Sequence, residues 1–300
     1  MTEITLRRIA MVGFGEAGSI LGVELAAKGR DVVTYDILLN APAARGAMLE
    51  KAKQGRVSTA DTFDEAVKDA DLVISAVTAA SSENVARSAG KVLRAGQVFL
   101  DINSCSPATK RTNSQLVEGS GADYVESAVM APVPPQRLQV PMLLGGRRAA
   151  ELAPALQALG MNATFLACEI GVASAVKMCR SVVIKGLEAL AVESMLAARR
   201  FGAEQEVLAS LQGTFPQMGW QDKLPDYLLS RVAEHGRRRA AEMREVAHTL
   251  EDVGVEPIMA QATAVRQDAL CDAMAAHGIA YPHGEAFSWR WLADELSKDA

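Results

Sequence analysis

The stretch Arg8-Ile9-Ala10-Met11-Val12-Gly13-Phe14-Gly15-Glu16-Ala17-Gly18 limits what this chain can fold into more than any other. A short apolar run meets three glycines at GxGxxG spacing, and a helical pattern (Ile20, Leu21, Val23, Leu25, Ala26) then runs to Gly29. That order reads as strand, tight turn and helix. Gly13 permits the turn, Gly15 lets backbone approach a pyrophosphate, and Gly18 lets the helix pack closely on the strand. Phe14, Glu16 and Ala17 supply the backbone between them, and the start of the helix offers free N–H groups and its positive dipole end to phosphate. Asp31 to Asp36 reads as the next strand, with Asp36 eighteen residues beyond Gly18. An acidic group there accepts hydrogen bonds from ribose hydroxyls and repels a 2′-phosphate. The expected cofactor is therefore NAD. NADP stays open, because an arginine farther along, such as Arg45, can fold back.

The first half of the chain alternates strand and helix signals. Helical character runs from Ala41 to Gln54, a short strand is expected at 57–59, and a polar helical turn at Asp64 to Asp69. Leu72 to Val77 is a continuous apolar run, as expected of a parallel strand covered on both faces. A helix from Ser81 to Leu93 and a strand from Gln97 to Asn103 follow, then strands at Asp123 to Met130 and Pro141 to Gly145 with a proline-rich loop (131–135) between them. A helix from Ala149 to Leu159 and a strand from Asn162 to Ala167 complete an α/β domain, assigned to residues 1–168.

From Gly171 to Arg200 there is no proline, and apolar residues recur at Val176, Val183, Leu187, Leu190 and Met195. Thirty residues at about 1.5 Å each span roughly 45 Å, so this long interdomain helix must leave one domain and run through another. Further helices are expected near 204–211, 221–234, 237–253, 257–277 and 283–298. The expected architecture is a doubly wound Rossmann sheet followed by an all-helical domain, residues 169–300. With no sheet of its own, that domain must bury its apolar faces on the long helix or on a second chain, so a homodimer is expected.

The 300 residues carry a formal charge of −5, which argues against a nucleic-acid or acidic-membrane partner. No run approaches eighteen apolar residues. The first strand starts too early to leave room for a signal peptide. Cys105, Cys168, Cys179 and Cys271 form no CxxC pair, and the four histidines lack metal-ligand spacing. A cytoplasmic protein without a structural metal is expected.

A nicotinamide enzyme needs a proton donor or acceptor at the reacting carbon and groups that hold the substrate. Val77 and Thr78 end a parallel strand, where a loop passes close to a bound cofactor. The loop Asp101-Ile102-Asn103-Ser104-Cys105-Ser106-Pro107 offers an amide, hydroxyls and backbone N–H groups at another strand end. Asn103 and Ser104 face substrate in one reading and cap the helix from Pro107 in the other. Lys177 has an apolar neighbourhood (Val172, Ala173, Val176, Met178, Val182). Burial there would lower its pKa and make it an acid/base group, and the alternative is a lysine whose head reaches solvent. Lys185 is the second candidate, on a roughly similar face.

Gly13 to Gly18, the Asp101-Ile102-Asn103-Ser104 loop and Gly171-(five residues)-Lys177 occur in this order and spacing. Together they resemble the β-hydroxyacid dehydrogenase superfamily, which includes 3-hydroxyisobutyrate and 6-phosphogluconate dehydrogenases. The resemblance implies hydride transfer between the nicotinamide and a hydroxyl-bearing carbon of a small carboxylate. It further implies Asn103 and Ser104 on the substrate and Lys177 as general acid/base.

Two departures stand out. The family usually has asparagine four residues after the lysine, where this chain has Ser181 preceded by Arg180, a cation suited to a carboxylate or phosphate. Its usual Ser-Gly-Gly segment after the sixth strand is here Met130-Ala131-Pro132. The runs Lys177 to Gly186 and His235 to Met243 are similar to a branch whose C-terminal domain has no assigned function. His235, Arg239 and Glu242 are weak site candidates, with a solvated basic helix face favoured instead. Rival readings are an imine reductase, against which Lys177 counts, and a nucleotide-binding regulatory protein without catalysis.

Overall fold

A computed structural model describes residues 4–283 and 286–298. The chain divides into two compact units, Met1–Lys177 and Met178–Ala300. In the first, strands β1 (Arg8–Val12), β2 (Asp31–Tyr35), β3 (Ser58–Thr59), β4 (Leu72–Ser75), β5 (Val98–Asp101), β6 (Asp123–Val129), β7 (Met142–Gly145) and β8 (Ala163–Ala167) form one sheet. Its helices are α1 (Glu16–Ala27), α2 (Pro42–Gln54), α3 (Phe63–Val67), α4 (Ala79–Val92), α5 (Pro107–Glu118), α6 (Val133–Gln136) and α7 (Ala149–Ala158). The strand order is β3-β2-β1-β4-β5-β6-β7-β8, parallel throughout except where β7 runs against β6. The first six strands have the order of a doubly wound nucleotide-binding sheet, with its topological switch between β1 and β4.

Alternation along β1 explains why helices cover both faces. Ile9 and Met11 join one core with Leu21, Ile74 and Leu100, while Ala10 and Val12 join another with Val73 and Phe99. Every residue of β4 and β5 is buried, which accounts for their unbroken apolar sequence except at Ser75 and Asp101.

The second unit is helical. Helix α8 (Val172–Phe201) is the expected 30-residue helix and continues into it, followed by α9 (Glu204–Thr214), α10 (Leu224–Glu251), α11 (Ile258–Ala276) and α12 (Trp289–Glu295). Met195, Trp220, Leu229, Val232, Leu270 and Trp289 are among its core. Among the described residues, no helix is long and apolar enough to cross a membrane.

Several local expectations are corrected. The two helices expected at 221–234 and 237–253 are one, because Gly236 marks a helix crossing and not a break. A Cβ there would stand 2.5 Å from Cys271 Sγ and 3.0 Å from Gln267 O, so α10 passes α11 at a distance only glycine allows. The last helix starts at Trp289, not His283; Ser288 caps it by accepting from Trp291 N, and residues 284 and 285 of the expected span lie outside the described residues. The proline-rich loop expected at 131–135 runs into α6, and a 3-10 turn at Arg137–Gln139 follows it, since Pro134 and Pro135 suit a first helical turn that has no N–H partners to lose. Helix α5 is capped by Ser106, which accepts from Thr109 N; Asn103 and Ser104 are not its caps.

A buried polar cluster ties β5, α5 and β6 together. Asp101 Oδ1 accepts from Lys110 Nζ at 2.8 Å and Asn103 N at 2.9 Å, and Oδ2 from Tyr124 Oη at 2.7 Å and Asn113 Nδ2 at 3.1 Å. Burial alone would raise the Asp101 pKa. The Lys110 charge and the donors around the carboxylate outweigh it and hold the group below its ordinary value. Tyr124 is pushed well above its ordinary value, by burial first and then by the Asp101 charge. Removing one partner strands a buried charge. Lys110→Met is expected to cost about 3–5 kcal/mol, read by urea denaturation; a loss below about 1 kcal/mol would refute this role.

Candidate active site

The glycine-rich turn lies at the switch point, and its three glycines answer to different demands. Gly13 has φ +88°, donates its N–H to Tyr35 O at 2.9 Å, and a Cβ on it would stand 2.5 Å from Ala76 O. A Cβ on Gly18 would stand 2.0 Å from Gly13 O. Both are required by the protein's own packing. Gly15 is not: its φ is −66°, it is exposed, and none of the described residues lies within 4 Å of where its Cβ would be. It is also the N-cap of α1 and provides no capping side chain. A glycine that neither torsion nor packing demands, above an uncapped helix start, is a cradle for a ligand that approaches backbone closely. The residues present thus fit a dinucleotide pyrophosphate.

Asp36, at the end of β2, is fixed toward this turn. Its Oδ2 accepts from Phe14 N at 2.6 Å and its Oδ1 from Leu38 N at 2.9 Å. Each oxygen keeps a lone pair for a ribose hydroxyl. Phe14 has its ring in the core and its N–H committed to Asp36, whereas Glu16 is exposed and Ala17 half-buried at the helix start. Arg45 is bound to Leu39 O and Asp61. The basic group that does reach the turn is Lys51 of α2, which the sequence pattern did not single out. Its Nζ donates to Phe14 O at 3.0 Å and Gly15 O at 3.1 Å and lies 5.5 Å from the centroid of the Phe14 ring.

The loops after β4 and β5 meet through Asn103. Its Oδ1 accepts from Val77 N at 2.7 Å, and its Nδ2 donates to Ser75 Oγ at 2.9 Å and Ser82 Oγ at 3.2 Å. The side chain is buried and its amide is spent on the protein, so it acts as a brace between strand ends. Beside it, Ser104 is half-buried and its hydroxyl has no hydrogen-bond partner among the described residues. Val77 is half-buried and Thr78 exposed, with Thr78 Oγ1 at 3.1 Å from Ser81 Oγ.

Lys177 is half-buried, six residues after Gly171. The start of its helix is held from within the sheet, where the buried Glu126 of β6 accepts from Gly171 N at 2.7 Å and Ala173 N at 3.1 Å through one oxygen. Sequence reasoning passed over Glu126; the signal was a carboxylate amid the apolar run of a central strand.

In the helical unit, Ser181 is buried and Arg180 exposed. Lys185 is buried with Nζ 2.5 Å from Glu242 Oε2. Burial pushes its pKa down, with the Glu242 charge opposing. Arg239 is buried too, with Nε 2.8 Å from Glu188 Oε2 and a second bond to Oε1. The expected solvated face is therefore corrected for Arg239 and Glu242, which form buried or half-buried ion pairs that hold α8 to α10. His235 lies 3.3 Å from Glu234 on the same helix.

Comparison with known proteins agrees with this geometry. Residues 8–168 match the NAD binding domain of 6-phosphogluconate dehydrogenase, and residues 198–270 match a domain of unknown function, DUF1932. The chain is 38% identical to a solved conserved hypothetical protein from Sinorhizobium meliloti 1021, over 99% of this chain and 97% of that one, with a TM-score of 0.79. It is 32% identical to the solved protein MTH1747, itself described as structurally similar to 3-hydroxyacid dehydrogenases, over 89% and 98% of the two chains with a TM-score of 0.71. Human mitochondrial 3-hydroxyisobutyrate dehydrogenase is 22% identical over 68% of this chain and 60% of its own length. With an open glycine cradle at the switch point, a fixed acidic group at the end of β2 and a family match across more than half its length, the chain belongs to the NAD-binding, 3-hydroxyacid dehydrogenase-like oxidoreductases of the β-hydroxyacid dehydrogenase superfamily.

Proposed function

We propose that the chain transfers a hydride between a nicotinamide cofactor and the hydroxyl-bearing carbon of a β-hydroxy acid or related small carboxylate, with Lys177 as general acid/base. The observation that carries the reading is the grouping, at the carboxyl ends of β1, β4 and β5, of the open Gly15 cradle, the Val77–Thr78 loop and the unengaged hydroxyl of Ser104.

When bound, the nicotinamide accepts or supplies the hydride. In the oxidising direction Lys177 Nζ, as neutral amine, takes the proton from the substrate hydroxyl as the C=O bond forms; in reduction its ammonium returns a proton to the carbonyl oxygen. Ser104 donates to or accepts from the substrate's polar end. Asn103 works indirectly, by holding Val77 N and so the loop that the cofactor contacts. Ser181 and Arg180 follow Lys177 by one turn on the same helix. Pro132 has no N–H, so the segment after β6 offers fewer backbone donors for the substrate's carboxylate.

The nucleotide-binding domain is assigned to residues 1–168 and the helical substrate and dimerisation domain to residues 169–300. NAD is the preferred cofactor because the fixed Asp36 carboxylate would meet a 2′-phosphate, and NADP use is the weaker alternative. A cytoplasmic homodimer completes the reading, supported by the exposed apolar side chains of Val183, Leu190 and Phe201 on α8. Light scattering is expected to give twice the 31.8 kDa chain mass, and a monomer at micromolar concentration would remove that part of the reading.

Two variants test the cofactor site together. Gly15→Ala is expected to melt within about 2 °C of the parent while its NADH affinity falls at least tenfold by fluorescence titration, since the added methyl meets only the ligand. Gly18→Ala is expected to lose stability outright. Unchanged NADH affinity in Gly15→Ala would count against the cradle. For the chemistry, Lys177→Ala is expected to lower kcat by about 10²–10⁴-fold with NADH affinity retained, measured on a panel of β-hydroxy acids. Full turnover in that variant would exclude Lys177 as the proton carrier.

A further inference from the structure

Glu126 places a carboxylate in the middle of a sheet. Strand β6 lies between β5 and β7, and Glu126 is fully buried at 0% exposure. One oxygen, Oε1, accepts both Gly171 N and Ala173 N. The other, Oε2, is buried with no hydrogen-bond partner among the described residues. Two glycines make room for this arrangement. Gly145 is paired with Glu126 across the β6–β7 ladder, and a Cβ there would stand 2.6 Å from Oε1. Gly171 takes φ +105°, a torsion that L side chains rarely adopt, and brings the chain in so that two N–H groups converge on one oxygen.

Such a cap is expensive. A buried carboxylate with one oxygen left unpaired by the protein loses hydration that the protein itself does not replace. A surface Ser or Asp at the N-cap would satisfy the same N–H groups without that cost. What a surface cap does not do is fasten the helix to a rigid strand. Helix ends fray, and Lys177 lies only six residues, about 9 Å of helix axis, beyond Gly171. An acid/base group displaced by about 1 Å from its proton loses on the order of 10²-fold in rate.

We propose that Glu126 is a positioning residue that fixes Lys177 against the carboxyl ends of the strands, acting through the first turn of α8. The inference rests on the reading of Lys177 as general acid/base. Three features identify it as a tether and not a general stabiliser. Among the described residues the carboxylate binds only backbone at the start of the functional helix, a glycine on the neighbouring strand makes room for it, and its second oxygen has no protein partner.

The test uses the full chain and three variants. Glu126→Gln keeps a carbonyl oxygen for both N–H groups and is expected to retain kcat within about threefold. Glu126→Ala removes the acceptor and is expected to lower kcat ten- to a hundredfold, with substrate KM and the NADH dissociation constant within about threefold of the parent. Glu126→Asp withdraws the acceptor by one methylene and is expected to fall in between, which keeps the test open if the alanine variant does not fold. Hydrogen exchange is expected to show faster exchange at Gly171 and Ala173 in the Asp and Ala variants and not in the Gln variant.

The proposal is overturned if the Asp and Ala variants turn over like the parent. It is equally overturned if Gln fails to rescue, or if NADH affinity falls in proportion to kcat. Lys177→Ala run alongside separates the two ideas. Full activity there sinks the acid/base reading itself, while the exchange data still report whether Glu126 holds the helix.

Discussion

The carboxylate of Asp101 is the interaction on which the arrangement of the site depends. Its two oxygens receive four donors, from Lys110, Asn103, Tyr124 and Asn113, which uses the lone-pair capacity of the group. One of those donors is the backbone N–H of Asn103. With its main chain fixed at the end of β5, Asn103 is held where its side chain spans to β4 and binds Val77 N and Ser75 Oγ. The loop after β4 in turn fills the space against Gly13, whose missing Cβ would strike Ala76 O. The position of the nucleotide turn is thus passed from a buried charge, through one amide, to a glycine on the neighbouring strand. Low dielectric strengthens the buried links from Asp101 to Asn103 and from Asn103 to Ser75.

Much of this was legible in the sequence, for a physical reason. Parallel strands buried on both faces are apolar without alternation, so β1, β4 and β5 announce themselves. A proline-free thirty-residue stretch is a helix that must cross between units, and α8 has that length. What escaped notice depends on partners distant along the chain. Asn103 has the composition of a cap, yet Ser106 caps α5, and the difference lies in Ser75, Val77 and Ser82, which no local pattern links to it. Gly236 looks like a break because helix propensity is local, whereas its role is set by Cys271 and Gln267 on another helix. Lys51 and Glu126 belong to the same class, since each finds its partners through tertiary structure.

The glycine triplet separates folding demand from ligand demand. A motif match treats the three positions alike. The structure does not: Gly13 and Gly18 are required by backbone atoms of the protein, and only Gly15 faces open space. Asp36 shows a similar double use. It holds the turn through Phe14 N, so its carboxylate is already oriented before any ribose arrives, and little conformational freedom remains to be lost on binding. A group with both duties cannot be exchanged for one suited to a 2′-phosphate without loosening the turn as well.

The two lysines of α8 show how environment separates residues that sequence leaves equivalent. Lys185 is buried and committed to Glu242, in a helical unit that also sets Arg239 against Glu188. For Lys185 to exchange protons with a substrate it would have to break its pair with Glu242, an anion that Arg238 also holds. Its charge serves to hold α8 to α10. Lys177 is half-buried, and the start of the helix that carries it is anchored to the sheet through Glu126. An acid/base group needs contact with substrate and a fixed position more than it needs deep burial. Of the two, Lys177 alone has a half-open setting, one turn beyond the anchored start of its helix.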